Sequence, residues 1–112
     1  MSVAEDTITD LRNQYYSLHD HLDDLLDACG DDVALKREVG DIMDDALTNY
    51  LKAQNKFLNQ NEDAIKQVQQ KVKAAQSSIK ESLDNLKEIK KVLDTLTTIV
   101  KGVGIAVSAV SG

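Results

Sequence analysis

The spacing of apolar residues predicts a helix from about residue 5 to residue 29. Apolar side chains recur there alternately three and four positions apart, which is the 3.5-residue repeat of a narrow seam that packs on another helix. The seam consists of Ile8, Leu11, Tyr15, Leu18, Leu22, Leu25 and Cys29. Asp6 or Thr7 is suited to cap the start of this helix, and Gly30 to end it in a left-handed conformation.

A wider apolar stripe predicts a second helix over about residues 33–59. A wide stripe is typical of a helix that touches two neighbours rather than one. Its members are Leu35, Val39, Ile42, Ala46, Leu47, Tyr50, Leu51 and Leu58. Asp31 or Asp32 is expected to cap its start, where the acidic charge also suits the positive end of the helix dipole.

The 3.5-residue repeat returns over residues 62–101 and predicts a third helix. Its apolar positions include one stutter of two successive four-residue steps and are Ile65, Val68, Val72, Ala75, Ile79, Leu83, Leu86, Ile89, Leu93, Leu96 and Val100. A turn before this helix is left open by the sequence, since Asn61 fits a cap but the segment has no Gly or Pro. Without the turn, residues 33–101 form one long rod.

These patterns predict an all-α protein with a helical domain over residues 1–101. Two architectures fit, an antiparallel coiled-coil helical hairpin and a three-helix bundle, and in both the last helix extends beyond its partners. A second chain would cover that overhang, so we expect an oligomer. The absence of proline and the 42% hydrophobic content are typical of long helices and disfavour extended disorder.

Residues 102–112 form an apolar, uncharged segment that differs from the rest of the chain. Val103, Ile105 and Val107 alternate with smaller residues, a period that favours a strand added to a partner sheet. Read as a helix, the same segment has small residues four apart, as in closely packed membrane helices. Docking on a partner or a membrane through these three residues, and a frayed tail, all remain open. The segment is too short to span a bilayer alone.

The net charge of −6 hides a difference between the two halves of the chain. Residues 1–45 contain thirteen acidic and three basic residues, a net charge of −10, whereas residues 46–112 contain ten lysines and six acidic residues, a net charge of +4. We expect the halves to attract each other, either within one chain or between subunits, and we predict antiparallel self-association of helix 1 with the helix that begins near Asn61. The acidic surface disfavours nucleic-acid binding.

The sequence contains no motif that predicts catalysis or cofactor binding. The densest polar cluster places His19, Asp23 and Asp27 on one helical face, which we interpret as a solvated acidic surface, with a weak cation site as the less favoured alternative. Cys29 lies in the apolar seam beside acidic residues that disfavour a thiolate, so we expect a buried structural residue. We therefore expect no enzyme activity, cofactor, metal or small-molecule substrate.

We expect a non-enzymatic assembly or adaptor protein that binds itself or another helical protein. The predicted interface residues are Ile8, Leu11, Tyr15, Leu18, Leu22, Leu25, Ile65, Val68, Val72, Ile79, Leu86 and Leu93. The alternative is a membrane-active, toxin-like protein or secreted-complex component that uses residues 102–112 at a bilayer. The N-terminal sequence lacks a secretion signal, so cytoplasmic synthesis is expected, with leaderless export or peripheral membrane association left open.

Overall fold

A computed structural model describes residues 2–110 and shows an all-helical chain whose helices pack against one another over 46 × 21 × 19 Å. The all-α prediction is confirmed. The α-helices of the described residues are α1 (Val3–Asp20), α2 (Leu22–Cys29), α3 (Val33–Lys56), α4 (Glu62–Leu83) and α5 (Ile89–Ala109). A short 3-10 helix, Phe57–Asn59, extends α3.

The first predicted helix is divided at His21 into α1 and α2. The His21 backbone leaves the helical region, with φ −101° and ψ 9°, and its N–H donates to the Leu18 carbonyl at 3.1 Å. The imidazole Nδ1 lies 2.8 Å from the Ser17 carbonyl oxygen. Such a side-chain contact competes with the regular backbone hydrogen bonds of a helix. Periodicity did not detect this break because a single residue separates the two helices.

Side-chain caps define three helix starts. Ser2 caps α1, its Oγ accepting from the Glu5 N–H at 3.1 Å, so the expectation of Asp6 or Thr7 is wrong. Asp32 caps α3 as predicted, accepting from the Leu35 N–H at 3.1 Å. Asn61 caps α4, its Oδ1 accepting from the Asp63 N–H at 2.8 Å, so the chain does turn there.

Gly30 ends α2 with a φ of 58°, in the left-handed region that only glycine adopts at little cost. This prediction is confirmed. The turn that follows reverses the chain into α3 and places α3 against α1 and α2.

The predicted helix over residues 62–101 is in fact two helices, because residues 84–88 form a turn. Asn85 Oδ1 accepts from the Lys87 N–H at 3.4 Å inside this turn. Leu83, Leu86 and Ile89 keep their three-residue spacing across it, so the apolar repeat gave no sign of the break. The turn sends α5 back along α4.

The four longer helices are arranged as two neighbouring pairs that run parallel. α1 contacts α3 and α4, and α5 contacts the same two helices. Gln14 of α1 lies against Val72 of α4, and Ser17 lies against Gln76, so residue numbers rise together. Within one chain, α1 and the helix that begins near Asn61 are therefore parallel rather than antiparallel, whereas antiparallel pairing between copies stays a prediction.

α3 and α5 form the second parallel pair. Asn49 lies against Val100, and Lys52 lies against Ser108, so residue numbers again rise together along both helices. Each parallel pair joins one helix from the front half of the chain to one from the rear half. The turn at residues 60–61 therefore carries the chain from the first antiparallel hairpin to the second.

The apolar core has two parts along the long axis of the molecule. The part nearer the Gly30 turn is formed by residues that include Leu18, Leu25, Ile42, Ile79, Leu93 and Leu96. The part at the opposite end is formed by residues that include Leu11, Phe57, Ile65, Val72, Val103 and Val107. At about 25 cal/mol per Å² of apolar surface removed from water, this burial is the main stabilising contribution.

The charge difference between the halves produces no direct ion pair between the two hairpins within residues 2–110. The ion pair found there joins Lys66 to Glu62 at 3.7 Å, one turn apart on the exposed face of α4. Such a pair adds little to stability. The hairpins are held instead by apolar contacts and by the amide groups of Gln14 and Asn49, which donate to backbone carbonyls across the boundary.

Candidate functional site

The apolar seam of α1 and α2 faces the interior of the same chain. Leu11, Leu18 and Leu25 are at most 1% exposed. The other interface residues predicted in this region are partly buried, and are Ile8, Tyr15 and Leu22. Because α3, α4 and α5 already cover these side chains, the seam offers no open surface to a second molecule in this conformation.

The predicted interface residues of the rear half are also covered by the same chain. Four lie in α4 and one in α5, all of them buried, while another is partly buried in the turn between these helices. In that order they are Ile65, Val68, Val72, Ile79, Leu93 and Leu86. The chain folds into two hairpins that pack side by side, so every long apolar seam is covered by another helix of the same chain. A single hairpin or a three-helix bundle would leave part of the last helix uncovered.

The three predicted docking residues of the last segment do not lie together. Val103 and Val107 are buried, at 3% and 0% exposure, whereas Ile105 is 73% exposed. α5 continues to Ala109, so residues four apart share a face and the residue between them points away. The strand interpretation is wrong as far as Ala109. Ser111 and Gly112 lie outside the described residues.

The outer face of α5 carries a row of exposed uncharged residues that is flanked by the exposed Asp94 and Lys101. Its members follow the same alternating three- and four-residue spacing as the buried seams, and are Thr95, Thr98, Gly102, Ile105 and Ala109. They extend over roughly 21 Å at about 1.5 Å per residue. The period-two pattern of residues 103–107 favours a strand and conceals this face, although the 3.5-residue spacing of a helix is also present.

A groove of about 470 Å³ runs between α3 and α5 beside this face. At its base, Asn49 is 6% exposed and its Nδ2 donates to the Val100 carbonyl at 3.0 Å. A β-carbon at Gly104 would lie 2.9 Å from Asn49 Oδ1, so glycine is what allows the amide to sit between the helices. Ile105 and Lys52 form part of the rim.

The groove is basic at the end near residue 108. Lys52 Nζ lies 3.5 Å from the Ser108 hydroxyl, and Lys56 Nζ lies 3.5 Å from the Ser108 carbonyl oxygen. Neither lysine forms an ion pair with a described residue. These two positive charges are therefore directed at neutral groups and remain available to an acidic partner.

The opposite end of the α3–α5 boundary is acidic. Burial raises the pKa of Glu38, and the neighbouring Asp94 carboxyl of α5 and then Asp41 raise it further, while Lys101 opposes them. Glu38 Oε1 is enclosed and has no hydrogen-bond partner among the described residues. Lys90 and Lys91 line the same shallow groove as Asp94, so the charge of these carboxyl groups is offset in part by neighbouring lysines.

The polar cluster around His19 is exposed, with His19, Asp23 and Asp27 all open to solvent, whereas the single cysteine is buried. Residues 2–110 bring together no group of three or more side chains able to hold a metal ion. Cys29 is 5% exposed at the end of α2, and burial, followed by the charge of Asp32, raises the pKa of its thiol. A raised pKa keeps this thiol protonated and poorly nucleophilic.

α5 is also the one helix in the described part of the chain that is long and apolar enough to cross a bilayer. Its mean hydropathy is 1.4 over the best 18 residues, of which 39% are buried inside the fold. A central helix of a water-soluble helical protein meets the same criterion, so its composition alone does not distinguish core from membrane.

The chain matches no family model, and no characterised protein or solved structure is significantly similar to it.

Proposed function

We propose that this chain is a non-enzymatic assembly or adaptor protein that binds another protein surface through the outer face of α5. The observation that carries the proposal is the exposure of Ile105, at 73%, within a row of uncharged residues on the outer face of α5. Charged residues make up 29% of the chain, and this row of five contains none, although Asp94 and Lys101 flank it.

The position of this face supports protein contact. The other large exposed apolar side chains are separate from it, and are Tyr16, Val33, Leu51 and Leu58. Ile105 combines high exposure with a groove beside it and lysines on the rim. An apolar centre with a polar border is the usual composition of a protein interface.

Photo-crosslinking in the source cells tests this proposal. A photoreactive amino acid is placed at Ile105, and a matched one at Val33, which is 67% exposed at the start of α3. The proposal expects a discrete protein adduct at position 105 and none of that mass at position 33. Equal, diffuse labelling from both positions, or no adduct from either, would rule it out.

A membrane-active function is the second candidate, and the length and hydropathy of α5 favour it. Flotation of the full chain with anionic and neutral liposomes tests it, with Ile105→Lys as the disrupting variant and Val33→Lys as its control. Lipid association that is lost only on substitution of Ile105 supports this candidate. Absence of flotation with both lipid mixtures removes it.

A further inference from the structure

We infer that the partner of the outer face of α5 is the same face of a second copy of this chain, with the two α5 helices antiparallel about a two-fold axis near Gly102. This inference rests on the proposed function and names the partner. It follows from the charges on either side of the face, from the spacing of its residues and from the open space at its centre.

The charges beside α3 favour the antiparallel arrangement. In such a dimer the α3 side of one copy faces the α3 side of the other, running in the opposite direction. The basic end at Lys52 and Lys56 then meets the acidic end of the second copy at Glu38, Asp41 and Asp94. This brings opposite charges together at both ends of the interface.

The charged residues on the α4 side of the face follow the same order as those on the α3 side, with the basic end near the end of α5 and the acidic end near its start. Lys71 lies in the groove next to Ala106 and Val110, whereas the groove next to Val92 contains two acidic residues and one basic residue, Glu81, Glu88 and Lys91. Antiparallel pairing again sets the basic end against the acidic end. A parallel dimer would instead place the lysines beside α3 against Lys71 of the second copy, because its two-fold axis exchanges the α3 and α4 sides.

In this arrangement the uncharged residues of one copy pack against the uncharged residues of the same face in the other copy. With the axis at Gly102, Ile105 of one copy packs against Thr98 and Gly102 of the other, and the ends pair Thr95 with Ala109. A β-carbon at Gly102 would meet nothing within 4 Å, so the centre of the face has room for side-chain atoms of the second copy.

Lys101 is the charged residue nearest the centre of the face. The two copies of Lys101 approach each other across the axis, but Asp45 lies in the same groove and offsets their repulsion. Lys91, near the start of α5, lies in the same groove as Glu81 and Glu88 and offsets part of their negative charge. The self-complementary surface extends from Asp94 to Val110.

Sedimentation velocity of two charge-reversed variants tests the arrangement. One carries Lys52→Glu with Lys56→Glu, and the other carries Glu38→Lys with Asp41→Lys. Each variant alone places like charges together at both ends, whereas an equimolar mixture restores opposite charges at both. The wild-type chain of 12.3 kDa is expected to sediment as a dimer, with a dissociation constant below about 1 mM.

Each variant alone is expected to dissociate about tenfold or more readily, and the mixture to recover dimer of wild-type affinity. Circular dichroism verifies that both variants remain folded. A wild-type chain that stays monomeric above about 1 mM overturns the inference. So does a variant that dimerises like wild type, or a mixture that stays monomeric. A discrete heterologous adduct at Ile105 would in those cases leave the proposed function intact.

Discussion

Asn49 of α3 donates an Nδ2 hydrogen bond of 3.0 Å to the carbonyl of Val100 in the middle of α5. The amide is nearly inaccessible to water, and its Oδ1 lies against Gly104. A buried amide can reach its backbone carbonyl in one relative position of the two helices, so it fixes their register. Apolar side chains alone would allow the helices to slide past each other. The position of Ile105 on the outer face therefore depends on this contact.

The substitution Gly104→Ala is expected to destabilise the fold by about 1–3 kcal/mol. The added β-carbon would lie 2.9 Å from Asn49 Oδ1, and the amide cannot move away without losing its bond to Val100. On helix propensity alone the change would stabilise by about 1 kcal/mol. Urea unfolding of the variant measures the difference.

Two further variants isolate the cause. Gly102→Ala, at a glycine whose β-carbon would be free of contacts, is expected to stabilise the monomer by about 0.5–1 kcal/mol. In the presence of Asn49→Ala, Gly104→Ala should lose most of its penalty, because the clashing group is absent. A penalty that persists unchanged in the double variant would show that Asn49 is not its source.

Gln14 has the equivalent role between α1 and α4. Its Nε2 donates to the Val72 carbonyl at 2.7 Å, and the side chain is 3% exposed. Gln14→Ala removes this bond and leaves a cavity, so a loss of about 2 kcal/mol is expected in thermal or urea unfolding. Gln67→Ala, an exposed glutamine of α4, should change stability by less than about 0.5 kcal/mol. Equal effects of the two would contradict this role.

The pKa of Glu38 predicts how stability depends on pH. Burial and Asp94 raise this pKa above its ordinary value of 4.5, so the folded chain holds the proton more tightly than the unfolded chain. The stabilisation from the protonated group is complete below pH 4.5 and is lost as the pH rises through the higher folded-state pKa. Glu38→Gln cannot lose a proton there and should be the more stable form at pH 7.

Unfolding free energies of wild type and Glu38→Gln, measured from pH 4 to pH 8 at concentrations that keep both monomeric, check this dependence. The difference between them should be smallest at pH 4, grow with pH and then level off. Glu62→Gln, at an exposed position of α4, serves as the control and should not show this increase. A difference that does not vary with pH would contradict the prediction.

Removal of the last segment should disrupt the fold rather than only a docking surface. A chain that ends at Lys101 lacks four buried side chains of α5, namely Val103, Ala106, Val107 and Val110. Each fully buried valine is worth about 1.5–3 kcal/mol, so the truncated chain should lose cooperative unfolding. Ile105→Ser, by contrast, should change stability by less than about 0.5 kcal/mol. A cooperative unfolding transition in the truncated chain would contradict this prediction, because it would show that the fold does not need the residues after Lys101.

Much of the secondary structure was predictable because local chemistry determines it. Gly30, Asp32 and Asn61 mark helix ends through a positive φ or a side-chain cap, and these signals depend on a few adjacent residues. The turn at residues 84–88 was missed because the apolar repeat continues through it. Periodicity reports which residues face the core, but it does not report whether the chain reverses between two of them.

The candidate surface was harder to predict because the number of helices decides whether an apolar seam is buried within the chain or left open to a partner. Leu11 and Val72 have the pattern of an intermolecular interface, and only the second hairpin makes them interior. Val103 and Val107 were grouped with Ile105 by their alternation, whereas the helix separates them by burial. The spacing from Val100 to Val103, Val107 and Val110 continues the core repeat and was the available signal for a helix.

Disulfide formation at the proposed two-fold axis is the most direct test of the central claim that the outer face of α5 is a contact surface between copies. Gly102→Cys is made together with Cys29→Ala, and Gly40→Cys, at an equally open glycine of α3, is the matched control. Near the axis the two thiols approach within disulfide distance. The position 102 variant is expected to be converted to a covalent dimer under mild oxidation much faster than the position 40 variant. Equal rates at the two positions would contradict it.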